Sequence, residues 1–235
     1  DLFLCNDCGH VQLLDIVDPE ILFADYVYVS GTSPVFVQHF KDYAATVTEK
    51  YLTGPKGGLA FDIGSNDATL LKQFKALDMQ VLGVDPACDI AAEANANGIE
   101  TLATFFTSAL AADIRRTRGA AQVITANNVY AHADDLGDIT DGIRTLLAPG
   151  GVFIFEVSYL VDVFEKTLFD TVYHEHLDYH ALKPLVPFLQ THGLHLFHAE
   201  RIPSHGGSIR VFAAPEASGR RTSDELTALL AAEDT

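Results

Sequence analysis

Two aspartates, Asp62 and Asp85, stand 23 residues apart at the carboxyl ends of two short apolar runs, Leu59–Ile63 and Val81–Val84. An acid about 20 residues downstream, closing a second strand, is placed to accept hydrogen bonds from ribose hydroxyls. The turn after the first run reads Gly64-Ser65-Asn66-Asp67-Ala68. A dinucleotide site needs G-x-G-x-x-G so that a pyrophosphate can approach the backbone. Here one glycine remains and an acid has been added. That carboxylate repels pyrophosphate and suits a cationic ligand bearing an amino group, such as S-adenosylmethionine. Gly64 permits the sharp turn. Asn66 or Asp67 can cap the following helix, whose free N–H groups make a site for a polar group. An ordinary strand–helix turn capped by Asp67 is the competing reading.

A second group of reactive residues lies in Tyr173-His174-Glu175-His176-Leu-Asp-Tyr179-His180, with Asn127 and His132 upstream. Histidine titrates near neutrality and can abstract a proton. A neighbouring Glu can orient it, and Tyr or a second His can hydrogen-bond a developing oxyanion. Such a set suits removal of a proton α to a ketone. A metal centre built from His174, Glu175, His176 and His180 is the rival, although the spacing is not H-E-x-x-H. Cys5 and Cys8 form Cys-Asn-Asp-Cys-Gly-His, half of a zinc ribbon, since structural zinc takes four ligands. His10 reads as a surface residue and Cys88 as buried packing.

These groups need a scaffold, and the chain spells one. After Ser33-Pro34, a helix cap and first position, a helix should run to about Leu52. A strand over Leu59–Ile63 follows, then a helix over Asp67–Leu77 and a strand over Val81–Val84. The alternation continues with a helix over Asp89–Asn97, a strand over Thr101–Ala103 and a helix over Ser108–Arg118. A strand over Gln122–Ala126, a helix over Leu136–Leu147 and a strand over Val152–Val157 complete it. Such alternation predicts a parallel sheet with helices on both faces. Then come an aromatic insertion over 158–180, a helix over Ala181–His192 and two paired strands, Leu194–Ala199 and Ser208–Ala213. The domain plan is a partial zinc-binding appendage over 1–32, the α/β domain over 33–214, and over 215–235 the start of a further domain. Phe105 and Phe106 fall in a loop. The net charge of −17 argues against a nucleic-acid surface. No apolar run reaches membrane-spanning length and no signal peptide is visible, so a cytoplasmic protein is expected.

Taken together, the stretches Tyr28–Ser33, Asp62–Asp67, Gly83–Ala87, Ala126–Val129 with His132, Tyr173–His176 with Tyr179-His180, and Pro203–Ser208 carry a resemblance. The chain resembles the sugar C-methyltransferases that act on TDP-linked 4-keto-deoxysugars. The resemblance implies a class I S-adenosylmethionine-dependent methyltransferase (Rossmann-like) sheet with a zinc-binding N-terminal segment. His176 would be the base, while His132, Tyr173 and Glu175 would hold the keto oxygen and its enolate. Tyr28, or Tyr26 beside it, would cover cofactor and sugar. Asp62, Gly64, Ser65, Asn66, Asp67, Asp85, Pro86 and Asn127 would line the cofactor site, and Pro203–Ser208 would contact or brace the sugar-nucleotide site. Ala68 stands where the family has glycine, which is expected to crowd the turn. The first cysteine pair and most of a C-terminal domain are absent, so the chain reads as an interior piece of a longer enzyme. A nicotinamide-dependent nucleotide-sugar oxidoreductase, or a non-catalytic zinc-ribbon or nucleotide-sugar binding module, is the alternative. The sugar, the ring carbon and the oligomeric state are left open.

Overall fold

A computed structural model describes residues 1–24, 26, 29–52 and 57–234, with His205 described in its backbone alone. The chain opens on a hairpin, β1 (Leu2–Leu4) and β2 (Val11–Leu13), with the cysteine knuckle at its tip. Asp18 caps α1 (Pro19–Phe23) by accepting from the Glu20 N–H, as Asp-Pro-Glu foretells. Ser33 caps α2 (Pro34–Lys50), with Pro34 in its first turn. β3 (Leu59–Ile63) is buried throughout, as expected of a strand flanked on both edges and both faces. The alternation continues through α3 (Thr69–Ala76), β4 (Gln80–Asp85), α4 (Cys88–Ala96), β5 (Thr101–Ala103) and α5 (Ser108–Arg118). Next come β6 (Ala121–Asn127), α6 (Leu136–Leu146) and β7 (Leu147–Ser158). Within the insertion lie α7 (Leu160–Glu165) and the two-residue β8 (Asp178–Tyr179). The chain closes with α8 (Leu182–Thr191), β9 (Leu194–Ile202), β10 (Ser208–Pro215) and α9 (Asp224–Ala232).

The main sheet has seven strands in the order β5-β4-β3-β6-β7-β10-β9. β5 to β7 run parallel, and β10 inserts antiparallel between β7 and β9. The alternating strands make the expected parallel part, and the expected pair of final strands completes it as a mixed sheet. Apolar clusters cover both faces. Phe61, Phe155 and Tyr130 belong to one, and Phe74, Val123 and Phe212 to the other. The Tyr130 and Phe155 rings pack 4.5 Å apart, within the range of favourable aromatic pairs.

Three local expectations are corrected. The helix after the central strand begins at Thr69, because Asn66 and Ala68 adopt φ of 51° and 61°. Ala68 is fully buried in that left-handed conformation, which costs an alanine about 1–2 kcal/mol. β7 begins at Leu147 instead of Val152, since buried Leu147 already pairs with Ala121 ahead of the Pro149-Gly150-Gly151 irregularity. Cys88 is exposed at the start of α4, where its side chain clears the sheet.

The two ends of the chain are tied to the sheet domain. β2 pairs antiparallel with β8, and His10 Nε2 lies 2.7 Å from Asp178 Oδ1, so the knuckle is docked on the insertion. At the other end, Glu233 accepts from the Tyr159 hydroxyl at 2.7 Å and from the amides of Leu182 and Lys183 at 2.7 and 2.9 Å. That carboxylate satisfies the opening N–H groups of α8.

Candidate functional site

The carboxyl ends of β3, β4 and β6 open into a cavity of about 710 Å³, the crevice where open α/β sheets take ligands. Gly64 sits at its floor with φ of 64°. A Cβ there would lie 2.3 Å from Val129 Cγ2, so only glycine lets the turn close. Asp62, Ser65, Asn66, Asp85, Pro86 and Asn127 line the cavity with it, as the sequence suggests.

Asp85 is held at both oxygens, accepting from the Asn66 N–H at 2.8 Å and the Ala87 N–H at 2.9 Å. Burial nevertheless pushes its pKa up, against those two hydrogen bonds. Asp62 accepts from the Thr125 hydroxyl at 2.6 Å. Burial pushes Asp62 up to about 7; the Thr125 hydrogen bond opposes that, and the nearby Asp85 charge adds to it.

This raised value has a consequence for stability. The folded chain binds the Asp62 proton more tightly than the unfolded chain, so this contribution is complete below about pH 4 and is lost as pH rises through 7. At about 1.4 kcal/mol per unit, Asp62→Asn should gain on wild type by a few kcal/mol between pH 4 and 7.5. Urea unfolding of both proteins across that range checks it, and a pH-independent difference would refute it.

A second group of side chains meets over the same cavity. His132, Tyr173 and His176 all line it. The His176 ring lies 5.0 Å from His132 and 4.4 Å from Tyr173. His176 Nδ1 is 2.8 Å from the Thr171 carbonyl, so that nitrogen carries the hydrogen. Its Nε2 then presents a lone pair, which accepts from the Tyr173 hydroxyl at 3.2 Å. Burial, then Glu175 and the phenols of Tyr26 and Tyr179, raise Tyr173 to about 12, so it remains a donor. Burial and the adjacent His176 push His132 down to about 4, so it is neutral in ordinary buffers. A neutral histidine can donate to an oxyanion without competing as a base.

Other candidates fall elsewhere. Glu175 does not line the cavity, and His174 is exposed. Tyr28 lies outside the described residues, while Tyr26 lines the cavity. His180 is fully buried and donates from Nε2 to the Tyr130 carbonyl at 3.0 Å, a packing role. Asp67 does not line the cavity either, because its carboxylate is turned to Gly31 and Thr69. The Pro203–Ser208 loop does not line the cavity; Lys166 Nζ donates to its Gly206 carbonyl and the Tyr159 N–H to that of Gly207.

The metal candidates do not assemble. Among the described residues no three His, Cys, Asp or Glu side chains gather as a metal site. The Cys5 thiol is held below its ordinary value by the backbone N–H of Cys8 and then of Asp7. Two sulfurs do not complete a zinc tetrahedron.

Some of the lining was not anticipated. Phe105 and Phe106, in the loop after β5, form part of the wall. An aromatic pair following a strand at the sheet's carboxyl edge was the available signal. Phe36 and Phe40 of α2 contribute from the other side. Buried Glu156, beside Asn127 in the sheet, is bonded to His39 of α2 at 2.9 Å and to Arg210 of the adjacent β10 at 2.6 Å. Asp18, Pro19, Glu20, Phe23, Tyr26 and Ser30 also line the cavity, with Phe23 edge-on to His132 at 5.5 Å.

Charge and unmet hydrogen bonds describe what the cavity would hold. Eight carboxylate side chains line it, and among the described residues no Lys or Arg does. Ser65 Oγ, Asn127 Oδ1 and His132 Nδ1 are buried there without a hydrogen-bond partner. Buried polar atoms left unpaired cost about 1–3 kcal/mol each, so these three fit a polar ligand that supplies their partners.

Comparison with known proteins gives a consistent picture. A family profile described as a methyltransferase domain matches residues 37–200. The C-methyltransferase NovU of Streptomyces niveus is 34% identical over 234 residues, 99% of this chain and 55% of that protein. The ubiquinone biosynthesis O-methyltransferase of Burkholderia lata is 31% identical over 101 residues, 42% of this chain and 44% of that protein. The chain thus spans about half the length of the curated relatives it matches. Among solved structures, magnesium protoporphyrin IX methyltransferase from Synechocystis PCC 6803 with bound SAH superposes with a TM-score of 0.56 at 15% identity. That match covers 76% of this chain and 83% of that one. An S-adenosylmethionine-dependent methyltransferase from Clostridium acetobutylicum gives 0.58 at 10% identity, covering 76% and 92%. At such identities the structural matches speak for the fold.

Proposed function

The chain belongs to the methyltransferase-domain family, with its Rossmann-like α/β fold, and from that premise we propose that it binds S-adenosylmethionine and carries the catalytic core of a C-methyltransferase. Its substrate is a nucleotide-linked 4-keto-deoxysugar, methylated on the carbon beside the ketone. The observation that carries the cofactor assignment is the cavity's charge, eight carboxylates with no Lys or Arg among the described residues. A sulfonium bearing an ammonium group is attracted there, whereas the pyrophosphate of a dinucleotide is repelled. The 34% identity to a C-methyltransferase supports carbon as the acceptor. No helix among the described residues is long and apolar enough to cross a membrane, in keeping with a small-molecule enzyme of the cytoplasm.

In this reading Asp85 accepts from the ribose hydroxyls with the lone pairs its two backbone bonds leave over. Asp62, which burial holds up at about 7, faces the cationic end and is drawn into its ionised form by that charge, and Ser65 and Asn127 find their missing partners in the same molecule. When bound, S-adenosylmethionine supplies an electrophilic methyl group and leaves as S-adenosylhomocysteine. His176 Nε2 takes the α-proton, and the electron pair of that C–H bond passes into the sugar enolate and then into the new C–C bond. Tyr173 and neutral His132 donate to the enolate oxygen, and His176 returns its proton to solvent. Glu175 acts at a distance, through the Tyr173 beside it.

Calorimetry with S-adenosylhomocysteine against NAD tests the cofactor. Saturable binding of the first, with none of the second at the same concentrations, is expected. Preferential binding of NAD would replace the methyltransferase reading with that of an oxidoreductase.

A further inference from the structure

Asp67 sits in the cofactor turn yet points away from the cavity. Its Oδ1 is held by the Thr69 hydroxyl at 2.7 Å and the Thr69 N–H at 3.2 Å. Its Oδ2 accepts from the N–H of Gly31 at 3.1 Å. One residue earlier, Asn66 Oδ1 accepts from the Ser30 N–H at 2.9 Å. Two consecutive side chains of the turn thus hold two consecutive amides of a segment 36 residues upstream.

Described residues of that segment belong to the cavity wall. Asp18, Glu20, Phe23, Tyr26 and Ser30 line it, and Phe23 packs edge-on against His132. The contact with the turn is very close. A Cβ at Gly31 would lie 2.2 Å from Asp67 Oδ2 and 2.8 Å from Thr69 Oγ1. Any side chain at position 31 would lift the segment off. The turn end is also joined to the ribose carboxylate, because the Asn66 N–H is bound to Asp85 Oδ2 at 2.8 Å.

We propose that Asn66 and Asp67 form a latch that fastens a strap, the described residues among 18–31 that line the cavity, to the cofactor turn. Both are positioning residues for the strap. Asn66 also shares Asp85 with the cofactor. This last link rests on the methyltransferase reading; the latch itself does not. A strap fastened at the cofactor turn opens less often once the cavity is filled, because opening must then compete with binding.

The test is amide hydrogen exchange on this chain, followed at Ser30 and Gly31, without ligand and with saturating S-adenosylhomocysteine. In wild type both amides should be protected without ligand, and at least tenfold more so with it. Asp67→Ala should speed both at least tenfold without ligand, as loss of a charged acceptor predicts, while amides of β3 keep their protection. Gly31→Ala, which leaves the turn's own residues intact, should give the same local loss. Asp67→Asn keeps an oxygen facing Gly31 and should restore most of it. S-adenosylhomocysteine affinity should change less than about threefold in Asp67→Ala. Unchanged exchange at Ser30 and Gly31 in both alanine variants overturns the latch. A tenfold loss of affinity in Asp67→Ala without faster exchange makes Asp67 a cofactor ligand and overturns it too. If wild type binds no S-adenosylhomocysteine, the cofactor reading fails, and the ligand-free exchange still decides the latch.

Discussion

His176→Asn is expected to abolish exchange of the sugar's α-proton with solvent while leaving S-adenosylhomocysteine binding nearly intact. A positioned base contributes about 10²–10⁴-fold. Asparagine suits the test because its amide can keep the bond to the Thr171 carbonyl, now made by His176 Nδ1 at 2.8 Å, and lose only the Nε2 lone pair. Tyr173→Phe and His132→Asn should slow the same exchange less completely. Each removes one donor to the developing oxyanion, worth roughly 10²–10³-fold. The order of the three effects separates roles that an activity assay would merge. Exchange that survives in His176→Asn and disappears in His132→Asn would transfer the base to His132. That outcome would sit badly with a histidine pushed down to about 4 by burial and its neighbour.

Asp85→Ala is expected to weaken S-adenosylhomocysteine binding about tenfold or more by calorimetry. A hydrogen bond to a charged acceptor is worth about 1.5–3 kcal/mol, and the buried carboxylate has two backbone donors fixing its direction before the ligand arrives. Those donors lose their acceptor in the variant, so part of the effect will appear as lower thermal stability. Cys88→Ala, three residues on and exposed, is the control and should leave both quantities unchanged. Equal affinities for wild type and Asp85→Ala would move the ribose site out of the β4 end. Comparison with Asp67→Ala sharpens the result, since the neighbouring acid is assigned to the strap and not to the ligand.

The sheet domain was largely legible because its signals are local. Leu59–Ile63, Thr101–Ala103 and Ser108–Arg118 occur where hydrophobic period, caps and glycine breaks put them. Errors collected where backbone geometry departs from the regular wells. Asn66 and Ala68 at positive φ delay the helix after the central strand. Nothing in the residue types alone reports a left-handed alanine, which the fold must hold against its own preference.

The site divides along the same line. Asp62, Gly64, Asp85, Asn127, His132, Tyr173 and His176 were identifiable from residue type and from their places after strands, since strand ends at one edge of a parallel sheet converge whatever the sequence between them. Which way a side chain turns within a loop has no such rule. Packing alone left Glu175 outside the cavity and brought Phe105 and Phe106 to its wall. Residues 1–32 read as an appendage because no local period links them to the sheet. Tertiary structure pairs β2 with β8 and brings described residues of the following segment to the cavity wall. The reversal of Asp67, from presumed ligand to anchor, belongs to the same class. Its partner is Gly31, and a hydrogen bond between two loops 36 residues apart leaves no periodic trace in either one. Local propensity and strand order were written in the chain; the closure of its cavity was decided by contacts that exist only once the chain has folded.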